Sequence, residues 1–150
     1  MIGIALMGAG RMARTHAKAI GAAGGRLVTV YDVVESAAKS LASDTSASAA
    51  RSVEEALQNP DVDAVLVVTS SDTHVDLIIQ AVKAGKAVMC EKPLAPNLSD
   101  AQRCINTLGG QASNMLLAFN RRFDPGHAAL KKAIDGGEIG SLEQLTIETG

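Results

Sequence analysis

A glycine-rich loop near the amino terminus has residue types and a spacing that could bind phosphate. Residues 8–13 read Gly-Ala-Gly-Arg-Met-Ala and fit the pattern G-x-G-x-x-G/A, directly after an apolar run. In such a loop Gly8 permits a tight turn, Gly10 lets a pyrophosphate approach the backbone, and Ala13 lets helix and strand pack closely. The N–H groups at the start of the following helix would face the phosphates. The pattern also fits a strand-to-helix turn that binds no ligand.

An acidic residue follows the loop at the distance that dinucleotide-binding proteins use. Asp32 ends the predicted second strand, 22 residues after Gly10. Its carboxylate could accept hydrogen bonds from the adenosine ribose hydroxyls, and it would repel a 2′-phosphate. Because Val33 and Val34 follow it, its neighbours supply no arginine for such a phosphate, and the pattern favours NAD over NADP. Asp32 could also cap the next helix, and both roles are compatible.

A run of small polar residues follows the most apolar strand. Residues 69–74 read Thr-Ser-Ser-Asp-Thr-His, and in a doubly wound sheet the carboxyl ends of the strands face the ligand. Small hydroxyl residues there leave room for a cofactor and offer it hydrogen bonds. Helix capping by Asp72 or Thr73 is the simpler interpretation. His74 lies in the first helical turn, where a structural role is expected from its position alone.

A lysine lies at the end of the next strand. Lys92 stands in the sequence Glu-Lys-Pro at residues 91–93. Its side chain could hold a substrate hydroxyl and relay the hydroxyl proton as hydride leaves the adjacent carbon. Spacing alone favours a solvent-exposed lysine before a turn.

These residues would meet only if the strands that precede them lie side by side. Apolar or β-rich runs predict strands, and amphipathic runs bounded by capping residues or glycine predict helices. The predicted strands cover residues 2–7, 27–31, 64–68, 87–90, 115–119 and 142–149. The predicted helices cover residues 12–23, 34–42, a short segment opened by a capping box at 52–55, a segment from Asp72 or Thr73 to Gly85, a segment opened by a capping box at 99–102, and residues 127–134. This alternation predicts an α/β fold, a Rossmann-type doubly wound parallel sheet with helices on both faces.

The composition supports this class of fold and argues against several functions. Of 150 residues, 47% are apolar and 2% are aromatic, so the core is aliphatic, as in parallel sheets that are buried on both faces. The scarcity of aromatic residues argues against base-stacking nucleic-acid binders, and the net charge of −2 argues against any nucleic-acid partner. No apolar run approaches the roughly 20 residues that a membrane span needs.

The cysteines and histidines show no metal-binding or redox spacing. Cys90 and Cys104 do not form a C-x-x-C motif, and without an export signal we expect free thiols in a reducing cytoplasm. The three histidines are scattered along the chain, so we expect no metal site.

Taken together, these motifs give the chain a family resemblance. It resembles the N-terminal part of the glucose–fructose oxidoreductase, inositol dehydrogenase and MocA family. The motifs that carry the resemblance are residues 8–13 with His16, then Asp32, residues 69–74, residues 84–86 and residues 91–93. Residues 119–125, Phe-Asn-Arg-Arg-Phe-Asp-Pro, resemble the inositol 2-dehydrogenase branch in particular.

The resemblance implies an NAD-dependent oxidoreductase that moves hydride between a polyol or sugar carbon and the nicotinamide. It makes Lys92 the first catalytic candidate, places Glu91 at the nicotinamide or its ribose, and suggests a cis peptide bond before Pro93. It also places Asn120 and Arg122 near the nicotinamide or substrate, although the arginines at 121 and 122 could instead pair with Asp124 at the surface. The residues expected to contact the cofactor are Gly8, Gly10, Arg11, Met12, Asp32, Thr69, Ser71, His74, Glu91, Lys92, Asn120 and Arg122.

The resemblance also implies a second domain. Residues 1–124 would form the dinucleotide-binding domain, and residues 125–150 the connecting helix and first strand of an α+β substrate domain. Because the last predicted strand would lack a partner, we expect a truncated gene product or a partial sequence that binds NAD with little or no catalysis alone. The expected partners are a small polyol or sugar substrate and, in the full-length form, a second copy of the chain. A module that binds or senses a dinucleotide without catalysis is the alternative function.

Overall fold

The computed structural model describes residues 1–148, and the chain divides into two compact units. The first unit is Met1–Ala118 and the second is Phe119–Gly150. The division falls before Phe119, whereas the sequence interpretation places it after Asp124. No helix among the described residues has the length and hydrophobicity needed to cross a bilayer.

The first unit is a parallel sheet with helices on both faces, which confirms the predicted fold class. Its strands lie in the order β3-β2-β1-β4-β5-β6, and every neighbouring pair is parallel. The strands are β1 (Gly3–Met7), β2 (Arg26–Tyr31), β3 (Ser48–Ala49), β4 (Ala64–Val67), β5 (Ala87–Cys90) and β6 (Met115–Leu117). The helices are α1 (Arg11–Ala22), α2 (Glu35–Thr45), α3 (Val53–Gln58), α4 (His74–Lys83) and α5 (Leu98–Leu108), and a 3₁₀ helix covers Gly109–Asn114. The two-residue strand β3 was not predicted.

The register of the central strands aligns their carboxyl ends. Met7, the last residue of β1, pairs with Tyr31 of β2 on one side and with Val67 of β4 on the other. Val67 pairs in turn with Cys90, the last residue of β5. The loops that follow these four strands therefore begin side by side at one edge of the sheet, and they contain the predicted functional residues of the first unit.

The core has two apolar layers because successive strand residues face opposite sides of the sheet. Leu6 belongs to the layer that packs against α1 and α2, whereas Ala5 and Met7 belong to the layer that packs against α4 and α5. The i, i+3, i+4, i+7 spacing on α4 predicts one apolar face, and its first, second and fourth members are buried. The members of this face are Val75, Ile78, Ile79 and Val82.

Both cysteines lie in the same apolar layer. Cys90 on β5 and Cys104 on α5 are completely buried free thiols. Burial, with smaller contributions from Cys104 and Glu91, raises the pKa of the Cys90 thiol to about 12. Both thiols therefore pack as small apolar side chains rather than as reactive groups.

The capping residues observed at the starts of α3 and α5 can be compared with those predicted from the sequence. Ser52 caps α3 as predicted, because its Oγ accepts the N–H of Glu55 at 3.0 Å. The predicted capping box at 99–102 is wrong, since α5 begins at Leu98 and its cap is Asn97. The Asn97 Oδ1 accepts the N–H of Asp100 at 2.9 Å, so an amide oxygen two residues before Ser99 satisfies the helix terminus first.

The start of α4 has no side-chain cap. Thr73 occupies the capping position, but its side chain makes no capping hydrogen bond. Its Oγ1 lies 2.7 Å from the Thr69 Oγ1 and 2.8 Å from the Ser70 carbonyl oxygen instead. The predicted capping role of Asp72 or Thr73 is therefore wrong, because the Thr73 hydroxyl holds the preceding loop together.

The second unit consists of a short 3₁₀ helix, Asn120–Phe123, and helix α6, Pro125–Asp135. Asp124 caps α6 by accepting the N–H of His127 at 3.1 Å. The predicted strand at 142–149 is wrong over residues 142–148, which form no strand. Those residues have no neighbouring strand within the described part of the chain, and Leu145 is 48% exposed. Thr149 lies outside the described residues.

Replacing Ile78 by alanine should test the importance of the α4 packing. Ile78 is completely buried, so the substitution should lower the free energy of unfolding by about 2–5 kcal/mol. Urea denaturation followed by far-ultraviolet circular dichroism measures this change. Ile105→Ala on α5 is the matched control, because Ile105 is 42% exposed and its loss should cost less than about 1 kcal/mol. Equal losses in the two variants would contradict the assigned core.

Candidate functional site

The two glycines of the loop at residues 8–13 differ in what requires them. The fold itself requires Gly8. Gly8 has a φ of +109°, and a Cβ at this position would lie 2.9 Å from the carbonyl oxygen of Val68. Its N–H donates to the carbonyl of Tyr31 at 2.7 Å. The close packing of three strands therefore requires glycine at position 8.

Gly10 is different, because no described residue fills the space that a side chain at this position would take. Its backbone is extended (φ −75°, ψ −167°), and a Cβ there would have no heavy atom within 4 Å. It lies at the N-terminus of α1, whose first turn carries no acidic residue. Free N–H groups and the positive end of the helix dipole therefore face open space that an anionic group can enter.

Asp32 ties the glycine loop to the end of β2. Its Oδ2 accepts the N–H of Ala9 at 2.7 Å, and its Oδ1 accepts the N–H of Val34 at 2.8 Å. Helix α2 begins at Glu35 with Val34 as its capping residue, so Asp32 does not cap it. Each carboxylate oxygen keeps a lone pair for a ligand hydroxyl.

A cavity of about 530 Å³ lies between the glycine loop, the end of β2 and the start of α4. Gly8, Gly10, Asp32 and Thr69, all predicted to contact a cofactor, line it. The remaining lining residues are Tyr31, Val33, Val53, Val68, Ser70, Asp72, Thr73, Asp76, Leu77 and Gln80. The aliphatic part of this lining suits a flat base, and its hydroxyl and carboxylate groups suit a ribose.

The charged residues that line this cavity are acidic, and one of them, Asp76, is paired with Arg103 at 2.8 Å. Asp32, Asp72 and Asp76 line it, whereas its described lining contains no lysine or arginine. A hydrogen bond from Ser70, followed by one from its own backbone N–H, lowers the pKa of the Asp72 carboxyl, which therefore stays ionised at neutral pH. An anionic lining accepts ribose hydroxyls and repels an added phosphate, which agrees with the predicted preference for NAD.

Sequence reasoning missed one cation close to this site. Arg51 lies between β3 and α3, and it lines an adjoining cavity of about 340 Å³ together with Asp32 and Val33. The residues directly after Asp32 are Val33 and Val34, whereas Arg51 follows β3 and reaches the same place by a crossover. No local spacing in the sequence reveals this neighbour.

His74 is buried and connects two of the loops at the strand ends. Its Nδ1 lies 2.8 Å from the carbonyl oxygen of Pro93, and its Nε2 lies 3.1 Å from that of Thr69. Both partners are acceptors, so a neutral imidazole donates to one of them at a time. His74 is 1% exposed and does not line the cavity, so the structure gives it a role in holding the loops.

The Glu-Lys-Pro segment begins directly after β5. The Lys92–Pro93 peptide bond is cis, as the resemblance suggests. The Glu91 Oε1 lies 2.8 Å from the Nε2 of His16 on α1, and its Oε2 accepts the N–H of Lys92 at 3.1 Å. The Lys92 side chain is exposed at the same edge of the sheet as the cavity.

The other residues predicted to contact the cofactor do not line this cavity. Arg11 and Met12 are exposed in the first turn of α1, and Ser71 lies in the loop after β4 without lining the cavity. Asn120 and Arg122 are exposed in the second unit. Two further residues of that unit, Arg121 and Asp124, form a loose ion pair at 3.8 Å, as the surface alternative suggests for Arg121.

Comparison with known proteins agrees with this geometry. Residues 2–118 match the model of an oxidoreductase family with an NAD-binding Rossmann fold, and the chain belongs to that family. It is 41% identical over 143 residues to an inositol 2-dehydrogenase of Rhizobium meliloti (strain 1021), covering 95% of this chain and 43% of that protein.

Solved structures show the same likeness. A myo-inositol dehydrogenase from Corynebacterium glutamicum has a TM-score of 0.90 at 38% identity, with 95% of this chain and 43% of that chain covered. The Lactobacillus casei myo-inositol dehydrogenase in complex with NAD(H) and myo-inositol has a TM-score of 0.89 at 31% identity, with 94% and 43% covered. The chain thus spans about 43% of the length of the relatives that it matches.

Alanine substitutions at the two loop glycines should affect different properties. Gly8→Ala should mainly lower stability, and Gly10→Ala should mainly weaken cofactor binding. Gly8→Ala should lower the free energy of unfolding by about 1–3 kcal/mol or more, because of its positive φ and the contact with Val68. Gly10→Ala should change stability by less than about 1 kcal/mol. Its methyl group would enter the space for the pyrophosphate, so it should weaken NADH binding about tenfold or more.

Urea denaturation and isothermal titration calorimetry measure the two quantities. Wild-type NADH affinity in Gly10→Ala would show that phosphate does not approach this loop. Unchanged stability in Gly8→Ala would contradict the steric requirement at the strand ends.

Proposed function

We propose that this chain is the cofactor-binding part of an NAD-dependent dehydrogenase that oxidises a hydroxyl carbon of an inositol-like polyol or sugar. The observation that carries the proposal is the placement of three features at one edge of the sheet. These are the open N-terminus of α1, the Asp32 carboxylate and the Glu-Lys-Pro segment at 91–93. The relatives named as inositol dehydrogenases support the choice of substrate class.

The strand order gives the direction in which a dinucleotide would lie. Asp32 follows β2, on one side of β1, so the adenosine ribose would lie there. The pyrophosphate would lie at Gly10, and the nicotinamide would extend across β4 toward the end of β5. Glu91 and Lys92 follow β5, so they would lie beside the nicotinamide and the substrate.

Each residue of the site then has a chemical task. NAD supplies the nicotinamide C4 that accepts the hydride from the substrate carbon. The Nζ of Lys92 would hold the substrate hydroxyl and relay its proton to solvent as the carbon–oxygen double bond forms. Asp32 holds the ribose, the N–H groups of α1 hold the pyrophosphate, and Glu91 holds the nicotinamide side. His74 keeps the loops after β4 and β5 together.

The proposal extends to the remaining parts of the sequence interpretation. Residues 125–150 would begin a substrate domain, and Asn120 and Arg122 would contact the nicotinamide or substrate. A cytoplasmic location is favoured by the two free, buried thiols. Assembly with a second copy of the chain is expected for the full-length form.

Asp32→Asn should change the balance between the two dinucleotides. Loss of the charge weakens hydrogen bonds to the ribose, so NADH affinity should fall about tenfold. NADPH should lose less affinity or gain some, because repulsion of its 2′-phosphate is removed. Titration calorimetry with each dinucleotide gives the ratio of affinities.

Asp61→Asn is the matched control for this measurement. Asp61 pairs with Arg26 at 3.4 Å, at the start of β2 rather than at its end, and its loss should leave the ratio unchanged. The wild-type chain should also gain about 2.7 kcal/mol of stability when NADH is present at a hundred times its Kd. A folded wild-type chain that binds no NADH would overturn the proposed function.

The role of Lys92 can be tested in a chimera in which this chain replaces the matching segment of the Rhizobium meliloti inositol 2-dehydrogenase. Lys92→Met should lower kcat for myo-inositol oxidation by about 10²–10⁴-fold, the usual contribution of a general base, with little change in NADH affinity. Lys83→Met, at an exposed position in the last turn of α4, should leave kcat unchanged. Equal rates in the two variants would remove Lys92 from the chemistry.

A further inference from the structure

His16 makes a contact between two distant parts of the cofactor-binding unit. It lies in the second turn of α1, the helix whose N-terminus faces the phosphate space. Its Nε2 lies 2.8 Å from the Oε1 of Glu91, 75 residues later in the chain. The two side chains are only 18% and 19% exposed, so water screens the contact little.

The Glu91 carboxylate is held from two directions. His16 contacts its Oε1, and the backbone N–H of Lys92 donates to its Oε2 at 3.1 Å. Hydrogen bonds to both oxygens of a carboxylate fix its rotation as well as its position. Each oxygen retains a lone pair that a ligand N–H or O–H can use.

The order of the strands shows which parts of the unit the His16–Glu91 contact joins. Strand β4 separates β1, which leads into α1, from β5, which leads into Glu91. The link therefore connects the helix at the pyrophosphate to the strand end at the nicotinamide. Glu91 lies at a strand end rather than in either apolar layer, so core packing alone does not explain a partly buried carboxylate there.

We propose that His16 is a positioning residue for the nicotinamide end of the dinucleotide. It donates its Nε2–H to Glu91 and thereby fixes the carboxylate beside the first residue of the Glu-Lys-Pro segment that carries Lys92. This inference rests on the proposed function, because it assumes that the nicotinamide lies at the end of β5. His16 does not line the cavity that contains Asp32.

Two ligands separate this role from a general effect on the fold. NADH contains the nicotinamide, whereas ADP-ribose contains the adenosine, the pyrophosphate and the second ribose without it. His16→Ala should weaken NADH binding by about tenfold, the effect of losing a hydrogen bond to a charged group. Binding of ADP-ribose should change less than about twofold, because Asp32 and the N-terminus of α1 are untouched.

Conservative variants make the test specific. His16→Gln keeps an N–H donor near the Nε2 position and should restore most of the NADH affinity. Glu91→Gln should lower the ratio of NADH to ADP-ribose affinity as His16→Ala does. The double variant should be no worse than Glu91→Gln alone, because His16 acts through Glu91. His127→Ala, in the second unit, is the matched histidine control and should leave the ratio unchanged.

Titration calorimetry and thermal denaturation of each variant complete the experiment. Equal losses for NADH and ADP-ribose in His16→Ala, or an unchanged ratio in every His16 variant, would overturn the positioning role while leaving the proposed function intact. If His16→Ala does not fold, the ratio in Glu91→Gln decides the matter, because a wild-type ratio in that variant would overturn the positioning role. A wild-type chain that binds neither ligand would instead overturn the proposed function.

Discussion

The in-register pairing of four buried strands is the constraint on which the rest of the structure depends. Met7, Tyr31, Val67 and Cys90 end their strands as neighbours across the sheet, so the chain must leave the sheet at four adjacent points. Hydrophobic burial on both faces fixes this register, because a slip of one residue would turn every buried side chain to the opposite layer. Loops that are distant in sequence therefore come together at one site, because the strand register fixes where each loop begins.

Hydrogen bonds from polar side chains hold the loops that begin at this edge of the sheet. Asp32 holds the glycine loop through Ala9, and His74 lies between the loops after β4 and β5. Asp32 accepts a hydrogen bond from a backbone N–H, and His74 lies within hydrogen-bond distance of two backbone carbonyls. Secondary structure leaves these backbone groups unpaired. Asp32 accepts its hydrogen bonds while keeping a lone pair on each oxygen, so one carboxylate both stabilises the loop and offers acceptors for the ribose of the proposed cofactor.

The sequence predicted those features that depend on neighbours along the chain. The apolar runs of the central strands and the spacing from Gly10 to Asp32 are local patterns, and both indicate the fold that is observed. The start of α5 was misplaced because Asn97 competes with Ser99 for the same helix terminus, and sequence gives no measure of which oxygen is better placed. The strand predicted at 142–149 does not form over residues 142–148, because a strand needs a neighbour to pair its backbone groups and the described part of the chain offers none there.

The features that the sequence did not reveal are contacts across the sheet. Arg51 reaches the Asp32 side of the site through a crossover, and His16 meets Glu91 across an intervening strand. Only the resemblance suggested the cis bond before Pro93 and drew attention to His16, without giving its partner. A histidine in the second turn of a helix has no local signature of a positioning role, because that role depends on the residue that the sheet order brings next to it. In this fold, the residues proposed to contact the cofactor or substrate follow strand ends and can be found by motif. Those that hold them in place lie one packing layer away, and they become visible only when the register is known.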